Sequence, residues 1–247
     1  MPLPKVITSQ YELILPSTEK TIKYRPFIVK EEKVLLAAVE SKNETQIINA
    51  IKQILKGCII TKGIKVEELP SFDIEYIFLN VRAKSAGENL DLIITCGDDG
   101  ETQVPVTIFI DEIQVQKDSE HSKDIILQDN LILRMKYPSL KQFVESSFAF
   151  EKPEEKESTT ENINKSFKII ASCMDVIFNN EESYAASDCT EKELFDFLDS
   201  LTNQQFKKIE NFFDTMPVLS HTIVVTNPKT KVENTVVLTG LTSFFIS

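Results

Sequence analysis

Glycine is scarce in this chain, with six residues in 247, and tryptophan is absent. Few glycines leave little room for the backbone loops that cradle phosphates. Neither Gly-x-x-x-x-Gly-Lys-Ser/Thr nor Gly-x-Gly-x-x-Gly occurs. Histidine is scarcer still, with only His121 and His221. The four cysteines, Cys58, Cys96, Cys173 and Cys189, contain no Cys-x-x-Cys pair. They read as reduced, mostly buried thiols. A basic stripe is also missing. The 27 Lys and Arg are scattered among 38 Asp and Glu, for a net charge of −11. Such a surface disfavours nucleic acid and anionic membranes as partners. No run approaches the roughly 20 apolar residues that span a bilayer. The opening MPLPKVITSQYELILPS lacks the apolar core of a signal peptide, so the chain is expected to stay where it is made.

What is present is an ordinary globular composition, 42% hydrophobic and 26% charged, with length for one large domain or two modest ones. Val6–Leu15 and Thr21–Val29 flank the turn PSTEK and read as a hairpin. EEKVLLAAVES then turns helical. Asn43 is placed to cap a second helix whose Ile47, Ile48, Ile51, Ile54 and Leu55 share one face, ending near Gly57. After Pro70 a third helix is expected, with Phe72, Tyr76, Leu79 and Ala83 on one face and Gly87 at its end. Phe72, Ile74, Tyr76 and Phe78 also fit a strand. Leu90–Leu133 reads as β, with Leu92–Thr95 and Val104–Ile110 around the turn CGDDGE. Ser139-x-x-Gln142 is a capping box.

Residues 151–161, EKPEEKESTTE, have no large apolar side chain and read as an exposed acidic linker. Past it, Ile163, Phe167, Ile170, Met174 and Ile177 repeat at helical spacing. Thr190-x-x-Glu193 and Thr202-x-x-Gln205 each open a further helix, the second stopped by Pro217. A terminal hairpin follows, Thr222–Thr226 and Val232–Leu238, and LTSFFIS is expected to pack back as a helical turn. The expected class is therefore α+β, mixing helices with antiparallel hairpins. The expected division is 1–150 as a β-rich α+β domain, 151–161 as linker, and 162–247 as a helical domain ending in a hairpin.

Catalytic constellations are nearly absent from the sequence. Cys189 or Cys96 with His221 is the one nucleophile pairing that can be drawn, and the sequence supplies nothing to orient it. GDDG lacks the spacing of a calcium loop. The turns CGDDG and NPKTK share the shape of a Cys-x-x-Cys-Gly metal knuckle. Aligned on that shape they offer Cys96 and Asp99, then Asn227 and Thr230. A structural zinc site takes four ligands, usually Cys or His, so this set is a poor one. No catalytic residue, cofactor, metal or small-molecule substrate is expected.

Several stretches occur together and in order: PSTEKTIKYRPFIVKEEKVLL, ELPSFDIEYIFLNVRAKSAGE, the CGDDGE hairpin, KYPSL, and the ending FFDTMP through LTGLTSFF. In these the chain resembles the baseplate hub protein family of T-even-type contractile-tailed phages, especially the cyanophage versions. Many members carry Cys-Pro-x-Cys-Gly at such turns; here Cys96, Gly100 and Pro228 match, while Asp99, Asn227, Thr230 and Lys231 depart. The resemblance implies a non-enzymatic tail protein, found in the virion baseplate and assembled in the host cytoplasm. It would be a hub subunit or a hub assembly component, with other baseplate hub proteins as partners. The alternatives are a hub chaperone absent from the mature particle, and a hub-associated hydrolase. Candidate contact residues are Phe206, Phe212, Phe213 and Met216 on one helix, Asn227 and Pro228 at the hairpin tip, and Phe244 and Phe245 near the end.

If 151–161 is an exposed linker, limited proteolysis of the native protein makes its first cut there, read by mass spectrometry of the fragments. A first cut within Leu90–Leu133 would contradict that division.

Overall fold

A computed structural model describes residues 7–41, 43–139, 142 and 159–243. In chain order the elements are β1 (Tyr11–Ile14), β2 (Thr21–Tyr24), α1 (Val29–Glu40), α2 (Glu44–Cys58), α3 (Ser71–Ala86), β3 (Asn89–Thr95), β4 (Gln103–Phe109), β5 (Gln114–Gln116), β6 (Asp124–Gln128), β7 (Leu131–Met135), α4 (Thr159–Cys173), β8 (Met174–Phe178), β9 (Ser183–Ala185), α5 (Glu191–Asp199), α6 (Asn203–Thr215), β10 (Val218–Thr226), β11 (Glu233–Thr239) and α7 (Gly240–Ser243). The class is α+β, with antiparallel sheets throughout and a terminal hairpin.

The described residues form two units. One runs up to Gln116 and resumes from Val218; the other is Lys117–Pro217. The physical reason is strand pairing. β10 pairs with β5 in the register Val218↔Gln116, Leu219↔Val115 and Ser220↔Gln114, which ties the late hairpin to the early part of the chain. The expected division at 151–161 does not coincide with this one. That stretch falls inside the second unit, where β7 and β8 from either side of it pair. Apart from Thr159–Glu161, which open α4, it lies outside the described residues.

In the first unit, α3 is covered on nearly all sides. Phe72, Ile74, Ile77, Phe78, Leu79 and Val81 are buried, and so are Ser71, Asp73 and Glu75 in its first turns. Apolar residues on every face make it a core helix and explain why its residues also fit a strand pattern. Asp73 is satisfied by Ser17, whose backbone N–H donates to Oδ1 at 3.0 Å and whose hydroxyl donates to Oδ2. Gly87, at φ +112°, ends the helix as expected. Asn43 caps α2, its Oδ1 accepting from Gln46 N–H at 3.0 Å. Glu31 both accepts from Ile28 N–H at 2.8 Å and holds Arg25 through two bonds of 2.7 and 3.0 Å. A Cβ at Gly57 would stand 2.7 Å from Glu31 Oε1, so a larger residue there would have to displace this carboxylate from Arg25.

The second unit is the sheet β6-β7-β8-β9 covered by α4, α5 and α6. The capping boxes at Thr190 and Thr202 form as expected, with Thr202 N–H donating to Gln205 Oε1 at 2.8 Å. The bonds of the Ser139 box are present too, Ser139 N–H donating to Gln142 Oε1 at 2.7 Å. One expectation fails here. The amphipathic repeat Ile163 to Ile177 does not stay helical, because α4 ends at Cys173 and Met174–Phe178 is a strand. β7 offers this segment a full ladder, and its β-branched and aromatic residues take the sheet over the helical period.

His121 lies in the polar turn KDSEHSKD, which reads from the sequence as solvated, yet the structure half-buries it. It sits on the core against Phe212 and Tyr137, with ring centroids 5.1 and 5.6 Å away. Thr215 Oγ1 donates to Asn211 O at 2.7 Å, so it is free to accept from His121 Nδ1–H at 2.9 Å. Nε2 then accepts from the Tyr137 hydroxyl at 3.1 Å. Burial lowers the His121 pKa from its ordinary 6.5, and Lys123 adds to this while Asp118 opposes it. A lowered folded-state pKa means that the unfolded chain binds the proton more readily. His121 therefore contributes stability fully above about pH 6.5 and loses it as pH falls through the lowered value. His121→Gln is expected to unfold at lower urea than wild type at pH 7.5, with the gap narrowing at pH 5, measured by circular dichroism.

Candidate functional site

Two hairpins of the first unit face each other. Alternation along β3 turns Leu90, Leu92, Ile94 and Cys96 inward. Alternation along β10 turns in Leu219, Ile223, Val225 and Asn227. These apolar residues form one core with Ile108, Ile110, Ile113 and Leu238. The buried stripe of each hairpin thus runs into the first residue of its turn, and Cys96 and Asn227 are both 0% exposed.

The two turns have one geometry. Gly100 N–H donates to Cys96 O, and Lys231 N–H donates to Asn227 O, each at 2.9 Å. Gly100 has φ +69° and Lys231 has φ +64°. The equivalence drawn from the sequence, Cys96 with Asn227, Asp99 with Thr230 and Gly100 with Lys231, is the structural one. Lys231 accepts the left-handed backbone that glycine takes in the other turn.

Between the turns stands Asp98. Asn227 Nδ2 donates to its Oδ1 at 3.0 Å, and the Thr230 hydroxyl donates to its Oδ2. Asp98 N–H in turn donates to Asn234 Oδ1 at 3.0 Å. The hydrogen bonds from Asn227 and Thr230 hold the Asp98 carboxyl below its ordinary pKa. Asp99 is engaged chiefly with its own turn, with Asn227 a lesser contributor to its lowered pKa. It closes its own turn by accepting from Thr102 N–H at 2.9 Å, Thr102 Oγ1 at 2.5 Å and Glu101 N–H at 3.1 Å. Thr102 chiefly lowers its pKa. Asn227 Oδ1 accepts from Lys229 and Thr230 N–H at 2.8 and 3.3 Å, so both ends of its amide are used.

Donors converging on a carboxylate invert the arrangement of a metal knuckle, in which thiolates or imidazoles converge on a cation. Among the described residues, no three His, Cys, Asp or Glu are grouped to hold a metal ion. The Cys96 thiol is pushed up by burial and by Asp98 and Asp99. Cys96 lies at the hairpin tip and His221 six residues before Asn227, about 20 Å along the strand at its ordinary rise. Cys189 donates to Ala185 O at 3.5 Å within the second unit. That unit carries a shallow cavity of about 300 Å³ whose wall mixes Glu120 and Asp124 with Lys207 and Lys208.

The candidate contact residues fall in different places. Phe212 is 2% exposed and belongs to the core of the second unit. Phe206 stacks on Phe167 at 5.6 Å and is half-buried, as are Phe213 and Met216. Asn227 is the buried pivot of the tip, while Pro228 is exposed beside it. Phe244 and Phe245 lie outside the described residues. The sequence reading missed Asp98. Its signal was the neighbouring pattern, an acid placed between two turns whose first residues continue buried stripes.

A family model described as T4 bacteriophage base plate protein matches residues 8–246. The chain belongs to that family of phage tail baseplate proteins. No curated protein and no solved structure matches it. Among the described residues no helix is long and apolar enough to cross a membrane.

Asn227→Ala removes a buried amide that binds both turns, and is expected to cost about 1–3 kcal/mol of unfolding free energy by urea titration. Lys229→Ala, on the exposed side of the same turn, is expected to change it by about 0.5 kcal/mol or less.

Proposed function

We propose that this protein is a hub component of the phage tail baseplate, a non-enzymatic subunit that works through contacts with other baseplate hub proteins. The observation that carries the reading is the family match over residues 8–246. The chemistry of the chain supports it. The buried thiols are raised away from reactivity, Cys58 to about 12 and Cys173 to about 11, mainly by burial. The His121 ring is committed on both nitrogens. The acidic charge suits a protein that must stay dispersed until its partners arrive. Half-buried Phe206, Phe213 and Met216 and exposed Pro228 are the contact residues from the sequence reading that retain accessible surface. They would bury apolar area at an interface centre.

Quantitative mass spectrometry of salt-washed mature tails tests this. A small fixed copy number per particle is expected for a hub subunit. Absence from particles together with presence in hub assembly intermediates would instead make the chain a chaperone. Absence from both would remove the hub reading.

A further inference from the structure

Free sheet edges are templates for pairing, and proteins ordinarily blunt them with charge, proline, bulges, shortness or cover. In the described residues nearly every edge strand is blunted. β4 carries Pro105. β6 has a register shift between Ile126 and Gln128, and its carbonyls are covered from α6. Gln205 Nε2 donates to Leu127 O at 3.3 Å and Lys208 Nζ to Ile126 O at 2.6 Å. β5 and β9 are three residues long, and β1 is four. β2 is covered by the segment after α2, with Arg25 N–H donating to Cys58 O and Ile60 N–H to Lys23 O. β3 carries Asp91 at its middle region, and Arg82 Nη1 donates to its Asn89 carbonyl at 3.3 Å.

Between its ends β11 has none of these devices; Glu233 is its first residue, and the Ser243 hydroxyl donates to the carbonyl of Thr239, its last, at 2.7 Å. It is an edge strand seven residues long, ENTVVLT, in unbroken register with β10 from Glu233 to Thr239. It contains no proline, lysine or arginine. Its outward side continues that of β10 as a surface of β-branched residues: Thr222, Val224 and Thr226 on one strand, Thr235, Val237 and Thr239 on the other. Val224 is 60% exposed and Val237 57%. In a chain that is 26% charged, Glu233 is the only Asp, Glu, Lys or Arg on these two strands.

We propose that β11 pairs antiparallel with β11 of a second copy, about a two-fold axis through Val236. A two-fold axis normal to the sheet keeps the buried side of both copies on one side and closes the assembly at two chains. The register then sets Glu233 against Thr239, Asn234 against Leu238 and Thr235 against Val237. The only carboxylate in the strand meets a neutral residue. The two Glu233 side chains stand about 20 Å apart by strand rise. That is well beyond the Debye length of about 8 Å at physiological salt. The −11 charge of each chain thus places no like-charge pair across this joint. Thr and Val opposite each other on the outward side are favourable cross-strand neighbours. This inference concerns self-association and holds whether the chain is a hub subunit or an assembly factor.

Light scattering after size exclusion, through the micromolar range, is expected to give twice the chain mass for the wild type. Thr235→Lys with Val237→Lys sets lysine against lysine twice across the joint and is expected to give a monomer. Thr235→Glu with Val237→Lys sets opposite charges together and is expected to keep the dimer. A wild-type monomer throughout the range overturns the proposal, as does a dimer untouched by the double-lysine change or lost equally in both variants. Should the double-lysine variant fail to fold by circular dichroism, amide exchange on the wild type decides. The alternate amides of Glu233–Thr239 that β10 leaves free slow with rising concentration if β11 pairs with itself. Exchange independent of concentration overturns the pairing.

Discussion

A helix without a solvent face must be covered from several directions at once, and α3 places that demand on the first unit. Its apolar residues point all round, so elements from both ends of the chain are recruited to it: α2 on one side, and β5, β10 and α7 on others. This explains the discontinuous unit. A hairpin more than 130 residues downstream returns because β10 completes both the cover of α3 and the ladder of β5. Burial also dictates the polar detail at the helix start. Asp73 is tolerable at 0% exposure because its carboxylate is satisfied, Ser17 supplying two donors.

The far end of the same core has the opposite problem. Two hairpins packed face to face by apolar side chains still splay at their tips, where the turns are polar and the stripe runs out. Cys96 and Asn227 carry the stripe into the turns, and the Asp98 carboxylate then joins them by accepting from Asn227 and Thr230. A cation joining the tips would require acceptors at these positions. A carboxylate requires donors, and an amide and a hydroxyl are donors. Asn227 and Thr230, the two poor ligands of the knuckle set, are therefore suited to the opposite charge.

Much of this was legible in the sequence because it is local. Asn43, Thr190 and Thr202 announce their helices through side chain to backbone bonds spanning three residues, and those bonds form. The common shape of the two turns was legible for the same reason, since it depends on five residues each. The strand Met174–Phe178 was not. Its apolar residues keep a helical period, and only the presence of β7 as a partner decides against the helix. Nor was the position of His121 legible, because a polar turn in sequence says nothing of Tyr137 and Phe212 arriving beneath it. Asp98 lay within a turn that was read correctly, yet its partners are about 130 residues away, and no local rule brings them together.

The Cys58, Cys96 and Cys173 thiols are buried and pushed up, both His121 ring nitrogens are hydrogen-bonded, to Thr215 and Tyr137, and the lowered carboxylates at Asp98 and Asp99 are occupied with turn and tip. Each of these groups is used to hold the fold. Among the described residues, the outward side of β10 and β11 offers uncharged β-branched side chains beside a strand edge blunted only at its ends, on an otherwise acidic chain. An edge of that kind is an aggregation hazard unless something covers it. In this chain the proposed pairing of two β11 strands would supply that cover.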